Sequence, residues 1–312
     1  MSEPHPLNIV FMGSPDFAVP ALEAIYNSHH KLMAVVTVPD KPHGRGRKMR
    51  GSAIQQKARE LGVPILQPER LRDPAFEAQM KTLAPDVMVV VAFRILPESI
   101  FSIPRLGAFN LHASLLPRYR GAAPIHWSLL NGDTETGVTT FFLKKSVDTG
   151  NILIQESIPI SDQDNLATLY NSLRTLGSTV ILKTLENIST GATEETSQDD
   201  SQASLAPKVS GDDQRLDFSQ PAKQCHDRIR AFAPKPGAFC YRGGARLKII
   251  RSSVSDIAGE IGSILAVEND CFSVGCGSES LKIYQLQPEN KKSMDAGSYL
   301  RGYPLALGDT LD

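Results

Sequence analysis

The chain has 312 residues, 41% hydrophobic and 21% charged, with a formal net charge of −1. That length allows two domains with sizeable cores, and a charge near zero excludes a global field drawing the protein to nucleic acid or membrane. Four cysteines (Cys225, Cys240, Cys271, Cys276) show neither C-x-x-C nor zinc spacing, residues 1–6 do not read as a signal peptide, and no apolar run reaches membrane-spanning length, which predicts a cytoplasmic protein with reduced thiols and no metal.

Residues 7–12 read as a strand running into Gly13-Ser14-Pro15. Residues 16–27 then carry Phe17, Ala18, Ala21, Leu22 and Ile25 at helical spacing. Strand, glycine turn and helix open a βαβ unit, but Gly13-Ser-Pro-Asp-Phe is not the G-x-G-x-x-G of a dinucleotide site. A second strand follows at 32–38. The spacing predicts a helix over 52–61, a strand at 63–66, and a helix over 73–83 capped by Asp73. Residues 86–92 form an apolar run of the kind a strand buried on both faces requires. A short helix at 97–103 and a central strand at 109–112 complete the alternation. The fold class is therefore α/β, with a Rossmann-like, mostly parallel sheet in the N-terminal domain.

Residues 39–50 hold five basic residues and one acid, with two glycines and two prolines. This composition reads as irregular: either a solvated surface loop or a loop contacting phosphates through Lys41, Arg45, Arg47, Lys48 and Arg50.

Asn110 and His112 stand two apart on their strand. Period-two side chains share a face, so they point the same way, as two donors or as a donor and a base. A polar strand end before a loop would carry the same residues. The segment stops at Leu115-Leu116-Pro117 and turns again at Gly121 and Pro124. Residues 121–130 look helical, with His126 as a packing residue and Trp127 the only tryptophan. Strands are expected at 136–143 and 152–158, which leaves Asp148-Thr149-Gly150 in the turn between them. Residues 165–188 form a long amphipathic helix.

Residues 190–204 are rich in Thr, Ser, Gln, Asp and Glu without an apolar period, which marks a linker. Beyond a helix at 225–233, short β-like runs at 238–241, 247–250, 262–267, 271–274 and 281–286 predict a small β-barrel, OB-like or of another small-barrel type. The expected organisation is a first domain over 1–189, a linker over 190–207 and a C-terminal domain over 208–312.

These residues resemble the methionyl-tRNA formyltransferase family over nearly the whole chain. Phe11-Met-Gly13-Ser14-Pro15-Asp16-Phe17 is similar to that family's first strand and turn, and residues 39–48 to its insertion loop. The run from Asn110 through His112, Ser114, Leu115, Leu116, Pro117 and Arg120 to Pro124 resembles its signature. Asp148-Thr149-Gly150 matches its turn, and residues 230–238 the opening of its C-terminal domain. Two stretches depart from the family pattern. Ala92-Phe93-Arg94-Ile95-Leu96-Pro97 stands where many relatives have a glycine and one more residue, and Lys144-Lys145-Ser146-Val147 replaces a more apolar stretch.

The resemblance implies formyl transfer from 10-formyltetrahydrofolate to methionine on initiator tRNA by a monomer, without a metal. It implies Asn110, His112 and Asp148 as catalytic residues. Ser114, Leu115, Leu116, Pro117, Phe93, Ile95 and Leu96 would contact the folate, and Lys41, Arg45, Arg47, Lys48 and Arg50 the tRNA. The chemistry suits these residue types. An amine attacking a formyl carbon makes an oxyanion, which needs hydrogen-bond donors, and protons must leave the amine. Formyl transfer to an amino sugar or ribonucleotide is the alternative within the class. RNA binding without catalysis would not need Asn110, His112 and Asp148 together, and a dehydrogenase would need the glycine fingerprint.

Overall fold

The computed structural model describes residues 5–43 and 48–312. The chain forms two compact units, one from residues 1–121, 136–158 and 170–205, the other from 122–135, 159–169 and 206–312.

The first unit begins with β1 (Asn8–Gly13), a 3-10 turn (Asp16–Ala18), α1 (Val19–Tyr26) and β2 (Lys31–Val36). It continues through β3 (Lys41–His43), β4 (Lys48–Arg50), α2 (Ala53–Glu60), β5 (Ile65–Leu66), α3 (Pro74–Leu83), β6 (Val87–Val91), α4 (Glu98–Phe101), β7 (Ala108–His112) and β8 (Arg120–Gly121). After α5 (Pro124–Leu130) come β9 (Glu135–Phe142), β10 (Ile152–Pro159), α6 (Leu166–Thr190) and β11 (Leu205–Ala206). Caps fix the helix starts. Ser52 Oγ accepts from Gln55 N at 3.0 Å, and Asp73 accepts from Ala75 N at 2.9 Å.

A seven-stranded sheet runs in the order β10-β9-β7-β6-β1-β2-β5. The strands β7, β6, β1, β2 and β5 are parallel, and β9 joins β7 antiparallel. Every residue of β6 is buried, as its Val-Met-Val-Val-Val run requires of a strand covered on both faces. From β1 the chain moves outward to β2 and β5, then returns on the other side of β1 as β6 and β7. The order therefore reverses between β1 and β6, where Gly13 pairs with Val91. In open α/β sheets that crevice, beyond the carboxyl ends of the strands, is where ligands bind.

One expectation needs correction. Residues 39–50 are not wholly irregular, because β3 and β4 pair antiparallel, Lys41 opposite Arg50 and Pro42 opposite Met49. A ribbon this short needs only three residue pairs, which composition alone conceals. Arg45 and Arg47 lie outside the described residues.

The second unit contains α5, α7 (Ala222–Phe232), β12 (Ala238–Arg242), β13 (Ala245–Ser255), β14 (Ile264–Val267), β15 (Phe272–Gly275), β16 (Ser280–Pro288), β17 (Met294–Asp295) and α8 (Ala296–Gly302). Its antiparallel sheet runs β12-β13-β16-β15-β14, with β17 against β16. The last residues tie the two ends of this order together. Ile264 N donates to Asp309 O and Leu311 N to Gly262 O, while Tyr241 and Asp312 exchange backbone hydrogen bonds of 2.8 and 2.9 Å. One tail thus pairs beside both β14 and β12, and its Leu311 is buried. Asp227, also buried, is held by Arg230 and Lys223, each at 2.6 Å. Among the described residues no helix is long and apolar enough to cross a membrane.

Candidate active site

The turn after β1 lies at the reversal point. A side chain on Gly13 would crowd Ala18, Phe11 and the Val91 carbonyl, each about 3.0 Å away, so close packing accounts for the glycine. Helix α6 holds the turn from one side. The Tyr170 hydroxyl donates to Asp16 at 2.7 Å, and Phe17 meets the Tyr170 ring edge-on at 5.1 Å. Burial and the Asp16 contact push the Tyr170 hydroxyl well above its usual range, so it stays a donor. Ser14 Oγ is buried there without a hydrogen-bond partner among the described residues, a group that a ligand could satisfy.

β7 supplies the next two side chains. A side chain on Gly177 of α6 would strike Leu111, so Leu111 faces that helix. The strand's alternation then puts Asn110 and His112 on the opposite face. His112 is 6% exposed, and its Nε2 lies 2.8 Å from the Tyr119 carbonyl. A carbonyl only accepts, so Nε2 carries the proton, and in the neutral ring Nδ1 holds the lone pair. Nδ1 is 3.8 Å from Asp148 Oδ2. The Asn110 amide has no side-chain hydrogen bond among the described residues, which leaves its donors available.

Asp148 reaches this place from the β9–β10 turn. Its backbone sits in the left-handed region (φ 55), which aspartate tolerates better than most residues. Gly121 N donates to Asp148 Oδ2 at 2.9 Å. Two residues on, any side chain at Gly150 would collide with the Phe142 carbonyl, so glycine lets the turn fold down onto β9.

The turn at Ser114–Pro117 is built by β9 and β10. Buried Thr139 Oγ1 donates to Ser114 O at 2.6 Å and accepts from Leu116 N at 3.1 Å and Gln155 Nε2 at 2.9 Å. Gln155 Nε2 also reaches Leu116 O at 2.9 Å. Ser114 Oγ donates to Arg118 O, and the Leu116–Pro117 peptide is cis. Neither Thr139 nor Gln155 stood out in the sequence, since a β-branched strand residue reads as packing.

Residues 93–96 leave β6 beside the crevice. Leu96 packs into the core with Ile100 and Val90, Phe93 is partly buried against the same cluster, and Ile95 is exposed. Arg94 stacks over Phe93 at 5.2 Å and donates to the Pro68 and Glu69 carbonyls. The β3–β4 ribbon follows β2 at the same end of the sheet. At its base a cleft of about 290 Å³ is lined by Val38, Lys41, Arg50, Ser52 and Gln56. Two cations opposite one another across a ribbon repel, and an anion between them relieves the repulsion. Outside the crevice, ligand-type side chains gather at His29, His30 and Glu186, and at Glu268, Asp270 and Cys271.

The segment expected as a linker brings residues that sequence reasoning missed. Thr196 bridges to Ile152, Ser204 Oγ accepts from Tyr119 N at 2.9 Å, and Gln198 lies between Arg120 and the Asp148 turn.

Fold and crevice together define a group-transfer enzyme of the formyl transferase class. The Formyl transferase sequence family matches residues 7–185, and the Formyl transferase, C-terminal domain family matches residues 208–304. The chain is 42% identical over 304 residues to a methionyl-tRNA formyltransferase of Trichlorobacter lovleyi, covering 97% of this chain and 96% of that one. It is 44% identical over 303 residues to the Geobacter metallireducens protein of the same name, covering 97% of each. The chain belongs to the methionyl-tRNA formyltransferase family. Its fold is also that of an N-formyltransferase from Helicobacter canadensis (TM-score 0.68, 22% identity, 89% of this chain and 98% of that one). HypX from Aquifex aeolicus in complex with tetrahydrofolic acid shares it too (TM-score 0.65, 16% identity, 99% of this chain and 51% of that one).

Proposed function

We propose that this chain transfers a formyl group from 10-formyltetrahydrofolate to the amino group of methionine on initiator tRNA. The observation that carries the reading is the meeting of His112 Nδ1 and Asp148 at 3.8 Å in the crevice of a chain that matches named methionyl-tRNA formyltransferases over 97% of its residues.

A folate suits the residues present. Ser14 Oγ, without a partner among the described residues, the backbone turn at Ser114–Pro117 and the exposed Ile95 offer polar and apolar contacts to its ring system, with Phe93 and Leu96 supporting the loop from below. The folate brings the formyl group to be transferred. Asn110 donates a hydrogen bond to the oxygen that gains charge, and does so at any pH. His112, fixed through Nε2, presents Nδ1 to take the proton from the amine or, once protonated, to donate to the same oxygen. Asp148, 3.8 Å from Nδ1, orients the ring.

In this reading residues 1–189 carry the chemistry and 208–312 add an OB-like surface for the tRNA. The ribbon with Lys41, Lys48 and Arg50, and the neighbouring Arg45 and Arg47, contacts its phosphates. The protein acts as a monomer and needs no metal.

The test is incubation with 10-formyltetrahydrofolate and charged initiator tRNA, repeated with glycinamide ribonucleotide and with an amino sugar nucleotide. Formyl-methionyl-tRNA is the expected product, and transfer to one of the small amines alone overturns the proposal.

A further inference from the structure

Gln198 is the one side chain of 190–205 that spans from the turn after His112 to the turn that carries Asp148. Its Nε2 donates to the Asp148 carbonyl at 2.9 Å and the Gly150 carbonyl at 2.8 Å. Its Oε1 accepts from Arg120 Nε at 3.0 Å and Arg120 Nη2 at 2.7 Å. Arg120 Nη2 is held in turn by Asp200 at 2.6 Å. A glutamine amide has two donors and two lone pairs, and all four are used here. The turn it grips is one that needs support. Asp148 is held at positive φ, and the side chain of Val147 beside it is half exposed and buries little.

We infer that Gln198 is a positioning residue for the reaction proposed above, on which this inference rests: it sets the Asp148 carboxylate against His112. Arg120 fixes the direction of the amide, because a guanidinium offers only donors and so forces Oε1 toward itself and Nε2 toward the two carbonyls. Gly121 N, the residue after Arg120, binds Asp148 Oδ2. The backbone and the carboxylate of Asp148 are therefore both referenced to the same short strand, β8. A shift of this turn moves the carboxylate relative to His112, and misplacements on the order of 1 Å cost about 100-fold in rate.

Two near-isosteric variants separate positioning from general support. Gln198→Glu keeps two acceptors for Arg120 and turns that contact into an ion pair, but has no N–H for the Asp148 and Gly150 carbonyls. Gln198→Met loses both sets of contacts. The expected result for Gln198→Glu is a kcat about 10- to 100-fold below the parent, with KM for both substrates within about twofold and a melting temperature lowered less than in Gln198→Met. Gln198→Met loses kcat as well and melts lower. In both, amide hydrogen exchange quickens at 147–150. A purely structural role would make activity follow melting temperature, and Gln198→Glu breaks that link. A Gln198→Glu kcat within about twofold of the parent, a loss confined to KM, or unchanged exchange at 147–150 would overturn the inference. Failure of the parent chain to formylate charged initiator tRNA counts against the proposed function alone. The variant-to-parent ratio is then read on the amine the parent accepts, and the exchange measurement needs no substrate.

Discussion

His112 donates its Nε2–H to the carbonyl of Tyr119, 2.8 Å away, which leaves Nδ1 as the ring nitrogen that faces Asp148. The side-chain amide of glutamine can reproduce a donor at the Nε2 position, and that of asparagine one near Nδ1. His112→Gln should therefore keep the Tyr119 contact and the stability of the fold while lowering kcat by about 100-fold or more. His112→Asn should lose both activity and stability, the latter by about 1–3 kcal/mol because the buried Tyr119 carbonyl loses its donor. Steady-state kinetics and chemical denaturation of the pair check this. Equal stability losses in the two variants would contradict it.

Asn110 presents the opposite case. Its amide has no side-chain partner among the described residues, so Asn110→Ala should change stability by no more than about 0.5 kcal/mol and lower kcat about 100-fold. The measurement is kcat for formyl transfer alongside the denaturation midpoint.

Thr139→Val retains shape and removes one hydroxyl that serves three groups in the 114–117 turn. Leu116 N then loses its partner at a buried site, at a cost of about 1–3 kcal/mol. We expect folate affinity to fall with stability, as seen by titration calorimetry and thermal unfolding. Unchanged folate affinity would show that the turn does not line the folate site.

Lys41 and Arg50 oppose one another at the mouth of the cleft. Arg50→Ala should weaken use of tRNA, leave folate affinity unchanged, and reduce the slope of log KM against log salt by about one. Kinetics at several salt concentrations read the slope directly.

Acid should weaken the second unit before its carboxylates titrate. Burial holds His126 below its ordinary 6.5, and burial followed by the Arg230 charge does the same to His226. The unfolded chain therefore binds more protons than the folded one as pH drops below 6.5, and stability falls in that direction, by at most about 1.4 kcal/mol per pH unit for each histidine. Hydrogen bonds from Ser219 and Gln220 hold Asp217 low, and those from Ser210 do the same for Asp213, so these carboxylates lose stability only below 3.8. His226→Gln should flatten the decline between pH 6.5 and about 5 in denaturation curves.

The mostly parallel sheet was readable because β6 is an unbroken apolar run and helices separate its neighbours at regular intervals, while the point where the strand order reverses was not, because strand order is set by long-range pairing. Asn110 and His112 were readable through the period of two. The approach of Asp148 to His112 was implied only by the family resemblance, since it depends on a positive φ and on a glycine that lets one turn close onto β9. Gln198 was hidden for a physical reason. A polar tract without an apolar period looks the same whether its amides bond to water or to the carbonyls of a turn. The β3–β4 ribbon was hidden by its brevity.

The tail that pairs with both β12 and β14 has a consequence for how copies of this protein meet one another. Each of those strands would otherwise present a row of unpaired amides and carbonyls, a template on which a second chain could add its own strand. With Tyr241 bonded to Asp312 and Gly262 and Ile264 bonded to Leu311 and Asp309, those positions are already occupied from within the molecule. The same few residues thus cover the outer edges of β12 and β14 against the addition of a further strand.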